Sequence, residues 1–528
     1  MVSLTERSGD QLVDLALDTI ANDKQILVFA PTKASAEAQA DAIASQLDLL
    51  ASCEELSENI LKAVSSPTKQ CKRLSKVVHR GVAFHHSGLH SAQRSLVESA
   101  FKDKRIKVIC ATPTLAAGLN LPAFRVVIKS LRRYGARGLY FIPVLEALQM
   151  MGRAGRPGKD DFGEAILLAD SSDQKELLHD KYLLGVPEDI DSKLAVEPVL
   201  RMYVLSLVAS GMVFSQEEVK DFFSETFYAD QYGDDEAVAL KIEKIIGELE
   251  LWGFLVASAS SDAKGFQSAS SLLSSSPRKL EATPLGKRVA ELYLDPYSAK
   301  LLLDALSLLS DDPSPFSLLQ ALMKTKEIRP LLRVRTKELE QIEKAIVAHD
   351  HEFVFQPPSM YDHEYAEFLD GMKTTLVFLS WIEEVGEDIL LDEFGLRPGE
   401  LHFKRETIDW LLYALKELSQ LTKRQHLIKH IERLRVRLSY GVKEELLALL
   451  RLKQVGRVRA RILFRNGLKT VGDLKKIDPT SLSSLVGPAT ARVLKEQVGE
   501  PMPEVVKKNK RKGQINLDDF QSTRKSTQ

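Results

Sequence analysis

Two arginines three residues apart, Arg153 and Arg156, lie in the run Gln149-Met-Met-Gly-Arg-Ala-Gly-Arg-Pro-Gly158. Glycine lets a backbone bend tightly beside a ligand, and arginine presents a planar, permanently charged fork to phosphate oxygens. Such a turn could hold a phosphate, or it could be a basic stretch of solvated surface. Three polar segments upstream bear on the choice: Phe29-Ala-Pro-Thr-Lys33, Ala83-Phe-His-His-Ser-Gly-Leu89 and Ala111-Thr-Pro-Thr-Leu-Ala-Ala-Gly-Leu-Asn-Leu-Pro122. His85 and His86 are adjacent, and adjacent residues of a strand point to opposite faces, so no metal site is expected there.

Each polar segment follows a short apolar run of the kind that forms a buried parallel strand. The runs are Gln25–Ala30, Val82–Leu89 and Ile106–Ala111. The first passes into an alanine-rich helix over 34–50, the second into a helix ending near Phe101, and the third into a loop over 112–122. In open α/β sheets ligands bind at the carboxyl ends of the strands, which is where all three segments fall. Lys129–Ile142 reads as a β-hairpin turning at Gly135-Ala-Arg-Gly138.

In order and spacing, the four motifs resemble the set of a second RecA-like motor lobe. The chain is most similar to the archaeal Hjm-type (Holliday-junction-migrating) superfamily-two DNA helicases, relatives of the helicase domain of polymerase theta. That resemblance implies that Thr112 and Thr114 contact the nucleic-acid backbone. It also implies that Gln149, Gly118, Asn120 and Gly152 lie near the nucleotide, with Arg153 and Arg156 reaching its phosphates as catalytic fingers. An arginine supplied from a neighbouring lobe stabilises charge in phosphoryl transfer. In the family the hairpin wedges the duplex apart, a task for which Tyr134, Arg137 and Tyr140 suit stacking and phosphate contact; an ordinary surface hairpin is the other reading.

A motor also needs a G-x-x-x-x-G-K-[ST] phosphate loop and an acidic magnesium motif, and neither occurs in the 528 residues. The expectation is the C-terminal portion of a helicase lacking the first motor lobe. ATP and Mg2+ would both require that lobe, and the isolated chain should not hydrolyse ATP.

Downstream, apolar residues at three- and four-residue spacing mark helices over Val196–Ser210, Gln216–Tyr228 and Glu236–Trp252. Strands over 254–256 and 280–283 flank a serine-rich insertion, giving a winged helix. Residues 288–445 read as helical throughout, with apolar stripes over Met372–Glu384 and Lys404–Leu421. The family uses one long helix here as a ratchet that stacks an aromatic on single-stranded DNA, and Trp410 matches that aromatic. Phe403 stands where the family has an arginine, and Lys404 and Arg405 are the candidate substitutes. Core packing is the competing reading of Trp410.

Residues 446–500 resemble helix-hairpin-helix units, in which backbone N–H groups at a helix start face a phosphate. Arg457, Arg459 and Arg461 are the expected phosphate contacts, which position a backbone without reading bases. The last 78 residues carry a net charge of +11 against −12 for the first 450, which suggests a polyanionic partner. In the polar tail, Gln514, Leu517 and Phe520 fit Q-x-x-L-x-x-F, the core of a sliding-clamp-binding peptide.

The expected fold class is multidomain α/β plus α. It comprises a RecA-like motor lobe (1–185), a winged helix (186–287), a helical ratchet domain (288–445), a helix-hairpin-helix domain (446–500) and a disordered basic tail (501–528). Three cysteines without a CxxC pair argue against a disulfide framework or zinc site and for the cytoplasm. No apolar run approaches the ~20 residues of a membrane span. The expected activity is 3′-to-5′ ATP-dependent DNA unwinding in fork repair or restart, on single-stranded and forked DNA. An RNA helicase of the same group and a non-enzymatic DNA-binding motor remnant are the alternatives.

Overall fold

The computed structural model describes residues 8–64, 66–118, 120–135, 138–156, 158, 160–233, 235–258 and 279–500. Arg137, Gln514, Leu517 and Phe520 lie outside the described residues, as does the side chain of Tyr134. The chain forms two compact units, Met1–Ser439 and Tyr440–Gln528.

The first unit begins with a parallel sheet. Its strands are Ile26–Phe29 (β1), Val82–His85 (β2), Val108–Ala111 (β3) and Arg125–Ile128 (β4). After these come the hairpin strands Arg132–Gly135 (β5) and Gly138–Phe141 (β6), and then Glu164–Leu167 (β7). Five of them pair in the order β2-β3-β1-β4-β7, with Leu27 opposite both Ile109 and Val126. All sixteen residues of β1 to β4 are buried, as two-sided covering by helices requires. Because β2, β3 and β1 are neighbours, their carboxyl-end loops lie side by side, although they are far apart in the chain.

The expected hairpin is an antiparallel pair, Arg133 facing Tyr140, in a sheet of its own. The loop expected over 112–122 instead contains a helical turn, Thr114–Gly118. Leu115 and Ala116 bury themselves in the lobe core, and that packing favours the turn.

Residues 197–282 hold helices Glu197–Ala209, Gln216–Ser224, Phe227–Tyr232 and Asp235–Leu251 and an antiparallel pair, Leu255–Ser258 (β8) and Lys279–Ala282 (β9). The helix expected over Gln216–Tyr228 breaks at Thr226, whose extended backbone and hydroxyl bond to the Phe223 carbonyl (2.6 Å) restart it. Residues 288–445 are not helical throughout. Irregular connections cover 323–335 and 353–364, where Pro330, Pro357 and Pro358 lack the N–H a helix needs. One hydrophobic core runs from Leu200 to Leu438, so the two expected domains share a single interior.

The second unit packs short helices around Leu463, Leu474, Leu482 and Leu494. Gly487, at φ +86°, links helices Pro479–Val486 and Pro488–Gln497, a backbone angle that L side chains disfavour. The three cysteines are free and buried. No helix among the described residues is long and apolar enough to cross a membrane.

Candidate nucleic-acid groove and arginine turn

At the carboxyl ends of β1, β2 and β3 lies a groove of about 680 Å³, lined by Thr32, Lys33, Ser87, Thr112, Thr114, Arg133, Glu146, Gln149, Arg397 and Glu400 among others. The sheet order delivers the first five. Ala30 N–H donates to Ala111 O (2.8 Å) and Thr112 N–H to His85 O (3.2 Å), so the three loops continue the sheet's pairing. Thr112 and Thr114 share a hydroxyl–hydroxyl hydrogen bond of 2.9 Å. Thr32 caps the following helix by accepting from Ser35 N–H, which sets Lys33 at its first turn. Arg133, from β5, is paired with Glu146 (3.3 Å through Nη1).

Arg397 and Glu400 come from the start of the long helix Pro398–Leu421. Lys33 Nζ donates to Glu400 Oε1, and Glu400 Oε2 accepts from the Arg397 N–H (3.1 Å), the acid's half of a capping box. Beneath the groove, Glu37 Oε1 accepts from Gln70 (2.8 Å), His86 Nε2 (3.1 Å) and Arg397 Nε (3.3 Å), while Oε2 accepts from Arg73 (2.7 Å). Burial would raise the Glu37 carboxyl, but these partners hold it at about 2. Burial pushes His86 below its usual value, against the pull of Glu37. His86 Nδ1 accepts from Gly88 N–H (3.1 Å), which assigns the proton to Nε2, facing Glu37. His85 turns instead to Glu98 (2.8 Å). The two histidines therefore serve separate carboxylates.

The arginine turn follows the helix Val144–Met151, whose C-cap is Gly152. Its backbone is pinned to the residue after Pro122, with Ala123 N–H donating to Arg153 O (3.0 Å) and Gly155 N–H to Ala123 O (2.7 Å). Gly155 has φ +85°, and a Cβ on Gly163 would meet Gly155 N at 2.2 Å, so both glycines are needed for this approach. Arg153 donates to Ala116 O and to Asn120 Oδ1 (3.4 Å). The structure thus brings Arg153 together with Asn120 and Ala116, the middle of the Thr114–Gly118 turn.

Arg156 stands differently. It forms a two-pronged pair with Asp160 (2.7 and 2.9 Å) and donates to Gln25 (3.2 Å). Its side chain is 13% exposed and that of Asp160 1%. Hydrogen bonding from Arg156, and then from Lys24, holds the Asp160 carboxyl well below its ordinary range. As it stands, Arg156 braces the turn; to reach a nucleotide phosphate it would have to leave Asp160. Gln149 is exposed and lines the groove with Thr112 and Thr114, whereas Arg153 and Arg156 lie outside that lining.

On the long helix, Lys404 is not a phosphate contact. It is buried with Leu401, Ile408 and Leu411, and its ammonium is satisfied by Pro330 O and Ile328 O (3.5 Å). Burial also lowers its pKa. Arg405 is half-buried, donating to Ser439 O (3.2 Å) and lying against His402 Nδ1 (2.9 Å). Trp410 is half-buried, packed on the core, with its indole N–H on Leu292 O (3.2 Å). Phe403, one helical face over from Lys404, is 63% exposed.

In the second unit Arg461 is paired with Glu445 (2.6 Å) and lies over the Phe464 ring (5.4 Å). Arg459 is exposed and donates to Gln454 O (2.8 Å). Arg457 opens the helix Arg457–Arg465 after Gly456.

Sequence reasoning missed Glu37, Arg397, Glu400 and Asp160. Only Glu400 had a local signal, as the acid three residues after Arg397 at a Pro-Gly helix start.

Two protein families match the chain: the helicase conserved C-terminal domain over residues 9–158 and archaeal helicase, domain 4, over residues 316–441. The chain is 34% identical over 522 residues to the ATP-dependent DNA helicase Hel308 of Methanococcus vannielii, covering 93% of this chain and 68% of that protein. It is 36% identical to Hel308 of Pyrococcus horikoshii, with 90% and 64% covered. For Hel308 of Methanocella arvoryzae the identity is 34%, with 97% and 68% covered. The chain therefore spans about two thirds of the length of these relatives.

Proposed function

Because the chain belongs to the Hel308 family of ATP-dependent DNA helicases, we propose that it supplies one motor lobe and the DNA-handling domains of a 3′-to-5′ DNA helicase acting at repaired or restarting forks. The observation that carries this reading is the convergence of Lys33, Thr112, Thr114 and Gln149 on one groove at adjacent strand ends. Hydroxyls and an ammonium in such a groove track a phosphate backbone without reading bases. Arg153, held beside Asn120, suits the phosphate side of a nucleotide. ATP with Mg2+ supplies the phosphoryl group when bound, and this chain contributes guanidinium charge and positioning.

The 528 residues contain no phosphate loop of the G-x-x-x-x-G-K-[ST] type, so another lobe has to provide it, and the chain alone turns over no ATP. Residues 197–282 act as a winged helix that braces the lobe, and the β5–β6 hairpin is the strand-separating wedge. Trp410 stacks on the translocating strand. The second unit is a helix-hairpin-helix module that holds phosphates through Arg457 and Arg459. The tail binds a sliding clamp through Gln514, Leu517 and Phe520.

The test is DNA-stimulated ATP turnover by this chain beside an Arg153→Ala/Arg156→Ala double variant, with fork-DNA binding measured in parallel. The reading expects DNA binding with no turnover in either protein. Turnover abolished in the double variant would mean that the chain contains its own phosphate site, and the half-motor reading would fall. Absence of DNA binding would remove the helicase reading itself.

A further inference from the structure

The groove has a feature that a phosphate-binding surface should not have. Among the described residues, each of the three cations that line it is already neutralised: Lys33 by Glu400, Arg133 by Glu146 and Arg397 by Glu37. Glu37 is buried beneath the floor, but Glu400 and Glu146 line the groove. An anionic strand entering it must therefore compete with carboxylates for the same donors.

Glu400 is the better placed of the two. It is the third residue of a helix whose start is docked on the β2 loop, with Gly399 N–H on Gly88 O at 2.9 Å. One oxygen stays on its own helix's N-cap while the other faces Lys33. Burial would raise its pKa, but Lys33 and Arg397 hold it below the usual carboxylate range, so it is charged at neutral pH. Both side chains of the Lys33–Glu400 pair are about a quarter exposed, at 26% and 28%. The pair is therefore partly open to solvent, and a polyanion can reach Lys33 and compete for it.

We propose that Glu400 stands in for a backbone phosphate of single-stranded DNA on Lys33, and that it yields this place when the strand enters the groove. Resting on the groove reading above, this names the residue that opposes binding there. Glu400 acts as a removable plug, keeping the groove neutral until a strand with several phosphates and the Thr112 and Thr114 contacts outcompetes it.

The experiment is a double-mutant cycle on the full chain, with a fluorescein-labelled oligo-dT titrated at fixed salt. Glu400→Gln removes the charge and keeps an acceptor for the Arg397 N–H, because glutamine serves at that position. Glu400→Gln is expected to tighten binding by about threefold to tenfold, up to about 1.4 kcal/mol. In a Lys33→Ala background the same change should do nothing. Glu406→Gln, which removes an exposed carboxylate elsewhere on the same helix, should also do nothing. An equal gain with and without Lys33, an equal gain from Glu406→Gln, or no gain at all would overturn the plug.

A Thr112→Val/Thr114→Val variant separates the two readings. If it weakens binding while the Glu400 and Lys33 effects simply add, the groove reading stands and the plug falls. If it leaves binding unchanged, the groove reading fails and the plug fails with it.

Discussion

The backbone N–H of Gly399 donates to the carbonyl of Gly88 at 2.9 Å, joining the start of the long helix Pro398–Leu421 to the loop after β2. The approach is possible only without side chains. A Cβ on Gly399 would lie 2.3 Å from Ser87 O and 2.5 Å from Leu89 O, and one on Gly88 would lie 2.4 Å from the Arg397 side chain. Around this contact, Lys33–Glu400 and Glu37–Arg397 tie the same helix start to the helix Lys33–Ser45 that follows β1. The helix that carries Trp410 is thereby fastened to the lobe that carries Thr112 and Thr114.

Gly399→Ala should open this joint. Backbone oxygens cannot move aside as a flexible side chain can, so overpacking of about 1–3 kcal/mol is expected. Urea unfolding should show that loss, and amide exchange should rise at residues 86–89 and 397–400. Unchanged stability and protection would show that the joint carries no strain and no load.

Acidification should weaken the same region. His86 is held below its ordinary value by burial, and Glu37 is held at about 2 by its hydrogen bonds. Both folded values are lower than the unfolded ones, so the unfolded chain takes up protons first as pH falls. The His86 contribution is complete above its ordinary value of 6.5 and is lost as pH drops toward the folded value. That of Glu37 persists to about its ordinary 4.5 and then declines. The melting temperature should therefore fall between about pH 7 and pH 5, and His86→Asn should flatten that slope. A melting temperature independent of pH in the parent chain would contradict the assignment.

The two arginines of the turn should separate in their effects on stability. Arg156→Ala leaves the Asp160 carboxylate, 1% exposed, without its main partner. Lys24 remains on Asp160 at 2.9 Å, so the loss should stay below the roughly 3–5 kcal/mol of a buried charge left with no partner, and the variant should still melt below the parent. Arg153→Ala loses bonds to Ala116 and Asn120 at a more open site and should cost under about 1.5 kcal/mol. Equal losses in chemical denaturation would refute the distinction.

Lys404→Ala should cost stability and spare DNA binding. Its ammonium caps carbonyls of the connection over 328–330, and leaving those carbonyls buried and unpaired costs about 1–3 kcal/mol. Oligo-dT affinity at a temperature where the variant is folded should match that of the parent. A tenfold loss of affinity without a loss of stability would restore Lys404 as a DNA contact.

Much of the lobe could be read from the chain because its signals are local. Short apolar runs gave β1 to β3, and the glycines at 152 and 155 mark the tight arginine turn. The hairpin at Lys129–Ile142 likewise follows from residues that are neighbours in sequence. What could not be read is what depends on partners far apart in the chain. Glu37 meets Arg397 across 360 positions, and nothing in either local stretch points to the other. Arg156 looks like a free finger until Asp160 closes on it, and an acid four residues downstream is too common to signal that. The burial of Lys404 does have a local signal. Leu401, Ile408, Leu411 and Leu415 form a stripe at helical spacing, and position 404 falls on the same face, so burial outweighed the usual preference of lysine for solvent.

The most direct test of the central claim is to photocross-link this chain to an oligo-dT carrying 4-thiothymidine and to map the sites by mass spectrometry. If the groove tracks single-stranded DNA, cross-links should fall in peptides containing residues 112–114, 149 and 397–400, and Thr112→Val/Thr114→Val should deplete them. Cross-links confined to residues 440–500, with none in the lobe, would contradict the account: the chain would then hold DNA by its second unit alone.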